Sequence, residues 1–320
     1  MRLRVGVIGL GRRWRRYRPI LARLRDHIEV RTVCDQVARR AEIEARRLRS
    51  TASAGPVELL ERGDVEAVLL LDTQWFGLWP LERACVTKKP VFCALTPDSD
   101  GAHADALYQQ IQDSGLSVFV ALGPVLAPAA TQLRELLTHR LGRARLVRAD
   151  WAVAPSRTGP PRDLLHSPAV LPLLTGCAWL MDDVPRSVWT VGGEGASFVS
   201  VVLQFGGERL AQLTLWTAEA GRTPGRFEVV AEAGTALAEL PRQLRWRDDE
   251  GQHGQRLPPR PAEQNGLERF LLALRSGQPL RPSFQDAYQS LTWLRAAARS
   301  RTEGQRIALG SQVEQAAPVP

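Results

Sequence analysis

Gly9 and Gly11 stand one residue apart, directly after the stretch Val5-Gly6-Val7-Ile8. A buried strand that runs into a tight glycine turn and then a helix makes a phosphate cradle. The first glycine allows the turn, the second lets the backbone approach a pyrophosphate, and the helix N-terminus faces the negative charge. Trp14 stands where the third glycine of that fingerprint belongs, so the helix must start later or sit differently on its strand. Arg12, Arg13, Arg15, Arg16 and Arg18 crowd the same turn. At helical spacing they spread around most of the helix, as a solvated first turn does, and Arg12 and Arg13 are the ones placed to hold a phosphate. Asp35 ends the second apolar stretch, about twenty residues past the turn, where a carboxylate binds adenosine ribose hydroxyls and disfavours a 2′-phosphate. It can equally cap the helix that follows. Arg39 and Arg40 weigh the other way, since arginine just past this position accommodates that phosphate. Further on, Trp75, Phe76 and Trp79, with Asp72 and Gln74, form an aromatic-rich loop at the ligand-binding edge of such a sheet. They line a pocket, block it, or pack against a second domain. Asp163 and His166 lie in a loop and are candidates for an acid and a base; a solvated loop histidine is the plainer reading.

These residues need a frame. At 320 residues the chain has room for two domains with ordinary cores. The net charge of +8 invites a nucleic-acid partner. The arginines are spread over the whole sequence, however, and Lys88 and Lys89 are the only lysines, so a compositional preference explains the charge and no nucleic acid is expected. No apolar run is long enough to span a bilayer, and the first residues lack a signal-peptide pattern, which points to a cytoplasmic protein off the membrane. Cys34, Cys85, Cys93 and Cys177 contain no C-x-x-C pair and read as buried free thiols. The five histidines have no metal-ligand spacing, so no metal site is expected.

The first third alternates strand and helix. Strands are predicted at 3–8, 29–34, 65–71, 90–94 and 117–122, with helices at 13–25, 37–48, 57–62, 78–87 and 100–114. After Gly123 the pattern changes. A helix at 128–139 and a strand at 144–153 precede a Pro-rich loop at 155–161. A helix at 169–181 leads into repeated period-two strands over 187–246, read as an antiparallel sheet. A proline-rich linker at 256–261 precedes two closing helices, 263–275 and 284–300. The expected architecture is α/β: a Rossmann dinucleotide-binding domain at 1–121, an α/β substrate-type and dimerisation domain with an open, mainly antiparallel sheet at 122–309, and a disordered tail at 310–320.

A Rossmann half followed by such a sheet resembles the oxidoreductases that include glucose–fructose oxidoreductase, inositol dehydrogenase and MocA. The start at Val5 to Gly11 carries the resemblance, as do Val65-Glu66-Ala67-Val68 and Lys89-Pro90-Val91-Phe92-Cys93. So do Leu141-Gly142-Arg143-Ala144, Ser283-Phe284-Gln285-Asp286-Ala287 and Arg299-Ser300. It implies NAD or NADP as cofactor, held by Gly9, Gly11, Arg12, Arg13, Asp35 and Thr73, and hydride transfer with a sugar-like hydroxyl. It also implies a lysine in a Glu-Lys-Pro motif after the fifth strand and a His-x-x-Asp pair on a helix of the second domain. Ala94 and Leu95 occupy the glutamate and lysine places, and Pro172 and Thr175 the histidine and aspartate places. The Thr-Pro-x-x-x-His stretch reads Thr73-Gln74-Trp75-Phe76-Gly77-Leu78.

Three functions follow as expectations. The first is a catalytically degenerate relative, a nucleotide-binding sensor or partner subunit with a small-molecule ligand or none in its crevice. The second is an active oxidoreductase on a sugar or polyol that uses His166 or Asp163 instead. The third is an interaction protein whose crevice is filled by Trp14, Trp75 and Trp79. The family's sheet usually packs against a second copy. Val199, Val201 and Leu203 are expected on one face, with Phe198, Val202, Leu213 and Leu215 available to the other, giving a homodimer or a tetramer of dimers.

Overall fold

The computed structural model describes residues 2–72, 76–97, 102–154, 163–193, 195–218 and 225–310. The expected tail at 310–320 lies, but for residue 310, outside them, as do Thr73, Gln74, Trp75 and the Pro-rich loop at 155–161. The chain divides into two compact units, residues 1–123 with 261–288, and residues 124–260 with 289–320.

The first unit is a six-stranded parallel sheet in the order β3-β2-β1-β4-β5-β6. Its strands are β1 (Leu3–Ile8), β2 (Ile28–Cys34), β3 (Thr51–Ala52), β4 (Ala67–Leu70), β5 (Val91–Cys93) and β6 (Val118–Val120). The helices α1 (Trp14–Arg23), α2 (Ala38–Leu48), α3 (Pro56–Glu61), α4 (Trp79–Thr87) and α5 (Ala102–Ser114) alternate with them. Val5, Val7, Ile8 and the whole of β4 are buried, because helices cover both faces of a parallel sheet and leave no wet side for alternation. The strand order reverses between β1 and β4, and ligands bind at such a switch point outside the carboxyl ends of the strands.

Residues far along the chain complete this unit. In α9 (Ala262–Ser276), Phe270 meets Phe92 of β5 edge-on, ring centroids 5.7 Å apart. Phe92 stacks on Phe119 of β6 at 5.3 Å and takes the edge of Tyr17 from α1 at 5.7 Å. The Val120 amide donates to the Pro282 carbonyl at 2.8 Å, and Tyr288 stacks on Tyr108. Residues 261–288, far along the chain from the six strands, thus pack with the first unit.

The second unit is a nine-stranded sheet in the order β14-β13-β12-β11-β7-β10-β9-β8-β15. Two helices lead into it, α6 (Gly123–Leu126) and α7 (Pro128–Leu136), the second continued by a π-turn over Leu137–Leu141. The strands are β7 (Ala144–Val153), β8 (Ser187–Val191), β9 (Phe198–Gln204), β10 (Leu210–Thr217), β11 (Arg226–Ala231), β12 (Gly234–Glu239), β13 (Gln243–Asp248), β14 (Gly251–Arg256) and β15 (Ile307–Ala308). β7 and β10 run parallel, and every other neighbouring pair is antiparallel, so the sheet is mainly antiparallel, as expected, with one parallel pair at its centre. α8 (Val170–Met181) is almost wholly buried. α10 (Phe284–Glu303) is shared, its last fifteen residues belonging here.

One expectation about the faces is corrected. Leu213 pairs with Val201 and Leu215 with Val199, and directly paired residues share a face. Both leucines are therefore buried on the inner side, and it is Trp216, Gln212 and Leu210 that join Phe198 and Val202 outside. Among the described residues no helix is long and apolar enough to cross a membrane.

Candidate functional site

The loop after β1 forms as its glycines predict, but for a different immediate reason. Gly9 has φ +90°, and a Cβ built on it would lie 1.4 Å from the Asp72 carbonyl oxygen. A Cβ on Gly11 would lie 2.3 Å from Asp72 Oδ2. Both glycines make room for Asp72, which follows β4 across the switch point. Asp72 Oδ2 accepts a hydrogen bond from the Arg12 amide at 2.9 Å. Trp14, in the third-glycine place, begins α1 and is buried within the first unit. Arg12 and Arg13 are exposed, while Arg16 pairs with Glu263 and Arg18 with Glu44.

Asp35 stands where predicted, at the end of β2, and its carboxylate is engaged within the chain. Oδ2 accepts from the Leu10 amide at 2.7 Å, and Oδ1 accepts from the Val37 amide at 2.9 Å and from Arg40 at 3.1 Å. Its side chain is 4% exposed. Asp35 does not cap the helix as expected, because α2 starts at Ala38 with Val37 at its N-cap and no side-chain cap bond; the bond to Leu10 ties the second strand to the glycine turn. Arg40 is committed to Asp35. The hollow that Asp35, Asp72, Arg40, Phe76 and the two glycines enclose is about 20 Å³, room for one water. Small-molecule pockets run to roughly 300 Å³ or more. With two carboxylates on the amides that flank Gly11, the loop does not fit a dinucleotide pyrophosphate as it stands. Thr73 and Trp75 fall outside the described residues; Trp79 stacks on Phe76 with ring centroids 6.3 Å apart.

The positions of the proton-transfer residues are equally clear. Leu95 follows β5, and its carbonyl takes the Cys93 thiol at 3.4 Å. Lys89 precedes β5, at the end of the strand away from the glycine turn, and its ammonium donates to the Arg62 carbonyl at 2.5 Å. Pro172 and Thr175 lie on α8. The Thr175 hydroxyl donates to the Leu171 carbonyl at 2.9 Å and meets the Ser290 hydroxyl at 2.7 Å, so it is spent inside the core.

Asp163 and His166 are brought together. Asp163 Oδ2 lies 3.1 Å from His166 Nδ1, and Asp163 caps the short 3-10 turn Leu164–His166 through the Leu165 amide. Arg301 grips both carboxylate oxygens at 2.6 Å. Those bonds from Arg301, with the Leu165 amide behind them, hold the Asp163 carboxyl below its ordinary value. Sequence spacing placed Asp163 and His166 near each other but gave no sign of Arg301, 138 residues away.

All four cysteines are buried and free. Burial pushes the Cys93 and Cys177 thiols up to about 12 and Cys34 up to about 11, which removes the thiolate that nucleophilic or redox chemistry needs. Asp248, Glu250 and His253 gather within 4.8 Å. Arg140 forms ion pairs with both carboxylates, so a guanidinium already serves as their cation.

This architecture is widely shared among solved structures. The chain superposes on a probable dehydrogenase from Thermotoga maritima with TM-score 0.78 and 22% identity, over 96% of this chain and 98% of that one. It matches an NAD-binding oxidoreductase from Klebsiella pneumoniae at TM-score 0.80 and 16% identity, covering 98% and 100%. A levoglucosan dehydrogenase in complex with NADH and levoglucosan gives TM-score 0.81 and 16% identity, covering 97% and 100%. The chain has the fold of the glucose–fructose oxidoreductase, inositol dehydrogenase and MocA proteins. Neither a protein-family model nor a curated protein matches the sequence. Within this fold, the first unit is the Rossmann-like half and the mixed sheet is the second half.

Two predictions follow from the geometry. Gly9→Ala sets a methyl group against backbone at a positive φ, and we expect a loss of at least about 3 kcal/mol in denaturant unfolding. Gly11→Ala meets only the Asp72 side chain, so its smaller cost should largely disappear in an Asp72→Ala background, a coupling that a double-mutant cycle measures. The second concerns Arg301→Gln, which should cost about 2 kcal/mol at neutral pH through the lost charged hydrogen bonds. Because the folded Asp163 pKa is depressed, the pair stabilises fully above the ordinary aspartate value of about 3.9. That contribution fades as pH falls through the lower folded value. Melting curves of wild type and variant should therefore lie apart at pH 7 and converge at about pH 2.

Proposed function

We propose that this chain is a catalytically degenerate form of the dehydrogenase fold, acting by binding, as a sensor or partner subunit, rather than by hydride transfer. One observation carries the reading: the three positions that the family resemblance assigns to proton transfer hold Leu95, Pro172 and Thr175. Neither leucine nor proline moves a proton, and the Thr175 hydroxyl is bonded to Leu171 and Ser290. General acid–base catalysis is worth about 10²–10⁴-fold, so its loss alone slows a dehydrogenase by that factor. The binding of any dinucleotide is weak, with NAD preferred to NADP because Arg40 is occupied by Asp35. Four free buried thiols suit a reducing compartment, the cytoplasm.

The outer face of the second sheet supports self-association. Trp189 and Phe198 are exposed there, alongside Val202, Leu210 and Trp216. The same face carries charges of both signs, with Arg226 paired to Asp150 and Arg148 facing Glu228. A surface that is apolar in part and electrically balanced suits a second copy of itself about a two-fold axis. The assembly is a homodimer, or a tetramer of such dimers.

A second reading has one observation in its favour. Asp163 orients the His166 imidazole through Nδ1, as a carboxylate orients a catalytic base, which would serve an active oxidoreductase with substitute residues. The grip of Arg301 on that carboxylate weighs against it, since the negative charge is already neutralised.

Purified protein with NAD and a panel of sugars and polyols should give no absorbance of reduced cofactor above the uncatalysed rate. Steady turnover that disappears in His166→Ala would establish the second reading. Light scattering at micromolar concentration should report a dimer or tetramer, and Phe198→Arg with Trp216→Arg should shift it to monomer; a wild-type monomer would refute the assembly.

A further inference from the structure

The Gly9–Gly11 loop already holds an anion, and that anion is one of the chain's own side chains. Asp72 is 9% exposed, and its Oδ2 sits on the Arg12 amide at 2.9 Å. Arg12 is the residue through which the turn enters α1. The Leu10 amide, on the other side of Gly11, is taken by Asp35 Oδ2 at 2.7 Å. The two amides that flank Gly11 in the turn are thus each taken by a carboxylate. Arg40, on Asp35, is the cation that lines the hollow. A pyrophosphate laid here would bring further negative charge beside two buried carboxylates, where water screens like charges poorly. It would also have to displace Asp72 from the space that the missing Gly11 side chain leaves open, since even a Cβ there would lie 2.3 Å from Oδ2.

We propose that Asp72 is a built-in occupant of the phosphate cradle that keeps a dinucleotide off this loop. The proposal rests on the reading of the chain as a degenerate dehydrogenase fold and adds a cofactor side to it. The proton-transfer residues are gone, and the anion position of the cofactor loop is filled from within. Asp72 acts through charge and through bulk, and two substitutions separate them. Asp72→Asn keeps the size and an acceptor oxygen for the Arg12 amide while removing the charge. Asp72→Ser removes the charge, shortens the side chain and frees the amide.

The test is calorimetric titration of the full-length protein with NADH and with ADP-ribose, alongside circular dichroism of each variant. Wild type should show no saturable binding below millimolar ligand. Asp72→Ser should bind both ligands at least about tenfold more tightly, with Asp72→Asn intermediate. Saturable micromolar binding of NADH by wild type would overturn the proposal without reference to any variant. So would folded Asp72→Ser and Asp72→Asn proteins that gain nothing. Turnover is a separate readout: a variant that binds NADH yet, supplied with NAD and a polyol, forms no NADH upholds both readings, whereas one that reduces NAD sinks degeneracy and leaves the role of Asp72 standing.

Discussion

Backbone meets backbone where the ends of β1 and β4 come together, and the space left there governs the first unit. With the Asp72 carbonyl 1.4 Å from where a Cβ on Gly9 would stand, no side chain is tolerated at residue 9. The chain must turn at that point, and α1 must leave in the direction that the turn dictates. Asp72 then drops its carboxylate into the space beside Gly11 and bonds the Arg12 amide, while Asp35 reaches the Leu10 amide from β2. Three neighbouring strands are in this way fastened at one point, by two charge-assisted bonds of the stronger kind. The same fastening decides what the loop can accept. A turn held by internal carboxylates has the amides of Leu10 and Arg12 already committed when an anion arrives.

Much of the frame was legible in the sequence because parallel strands buried on both faces read as continuous apolar runs. β1, β2 and β4 fall within a residue or two of their predicted bounds, and the helices between them carry ordinary amphipathic spacing. What could not be read depends on residues distant in the chain. The parallel pairing of β7 with β10 leaves no local mark, since a strand's own pattern does not say which way its neighbour runs. Leu213 and Leu215 were assigned to the wrong face because alternation fixes faces only relative to a neighbour, and the register of β10 on β9 was unknown. Asp35 was correctly placed as a residue, but its partners at Leu10 and Arg40 emerge only from the fold. The sequence shows Asp72 only as part of an aromatic loop, and nothing in the spacing indicates that it sits on the Arg12 amide. A glycine turn looks the same in sequence whether it makes room for a phosphate or for a carboxylate.

The rest of the ionisable inventory points in the same direction. The thiols are buried and protonated, the guanidinium of Arg140 stands among the acids that might have held a metal, and Arg301 neutralises the carboxylate beside His166. In each case a cluster whose residue types suit chemistry is closed by a structural partner. An arginine-rich composition makes this easy, because the guanidinium matches carboxylates in bidentate geometry and keeps its charge at any physiological pH. Part of the abundance of arginine that first suggests a nucleic-acid surface serves, in the folded chain, as counterions to its own carboxylates.

The aromatic cluster of Tyr17, Phe92, Phe119 and Phe270 bears on how the molecule is made. Three of these rings belong to the first 123 residues, and the fourth arrives from α9, after β7 to β14 of the second sheet have been synthesised. During translation the Rossmann half emerges first, yet one side of its β5 and β6 edge stays uncovered until residues 261–288 leave the ribosome. The second sheet, although later in sequence, has all its central strands available before that closure. The aromatic edge of the first unit is therefore sealed only after the central strands of the second sheet have been made, and in the interval its phenyl rings are the kind of transiently exposed apolar surface that chaperones bind.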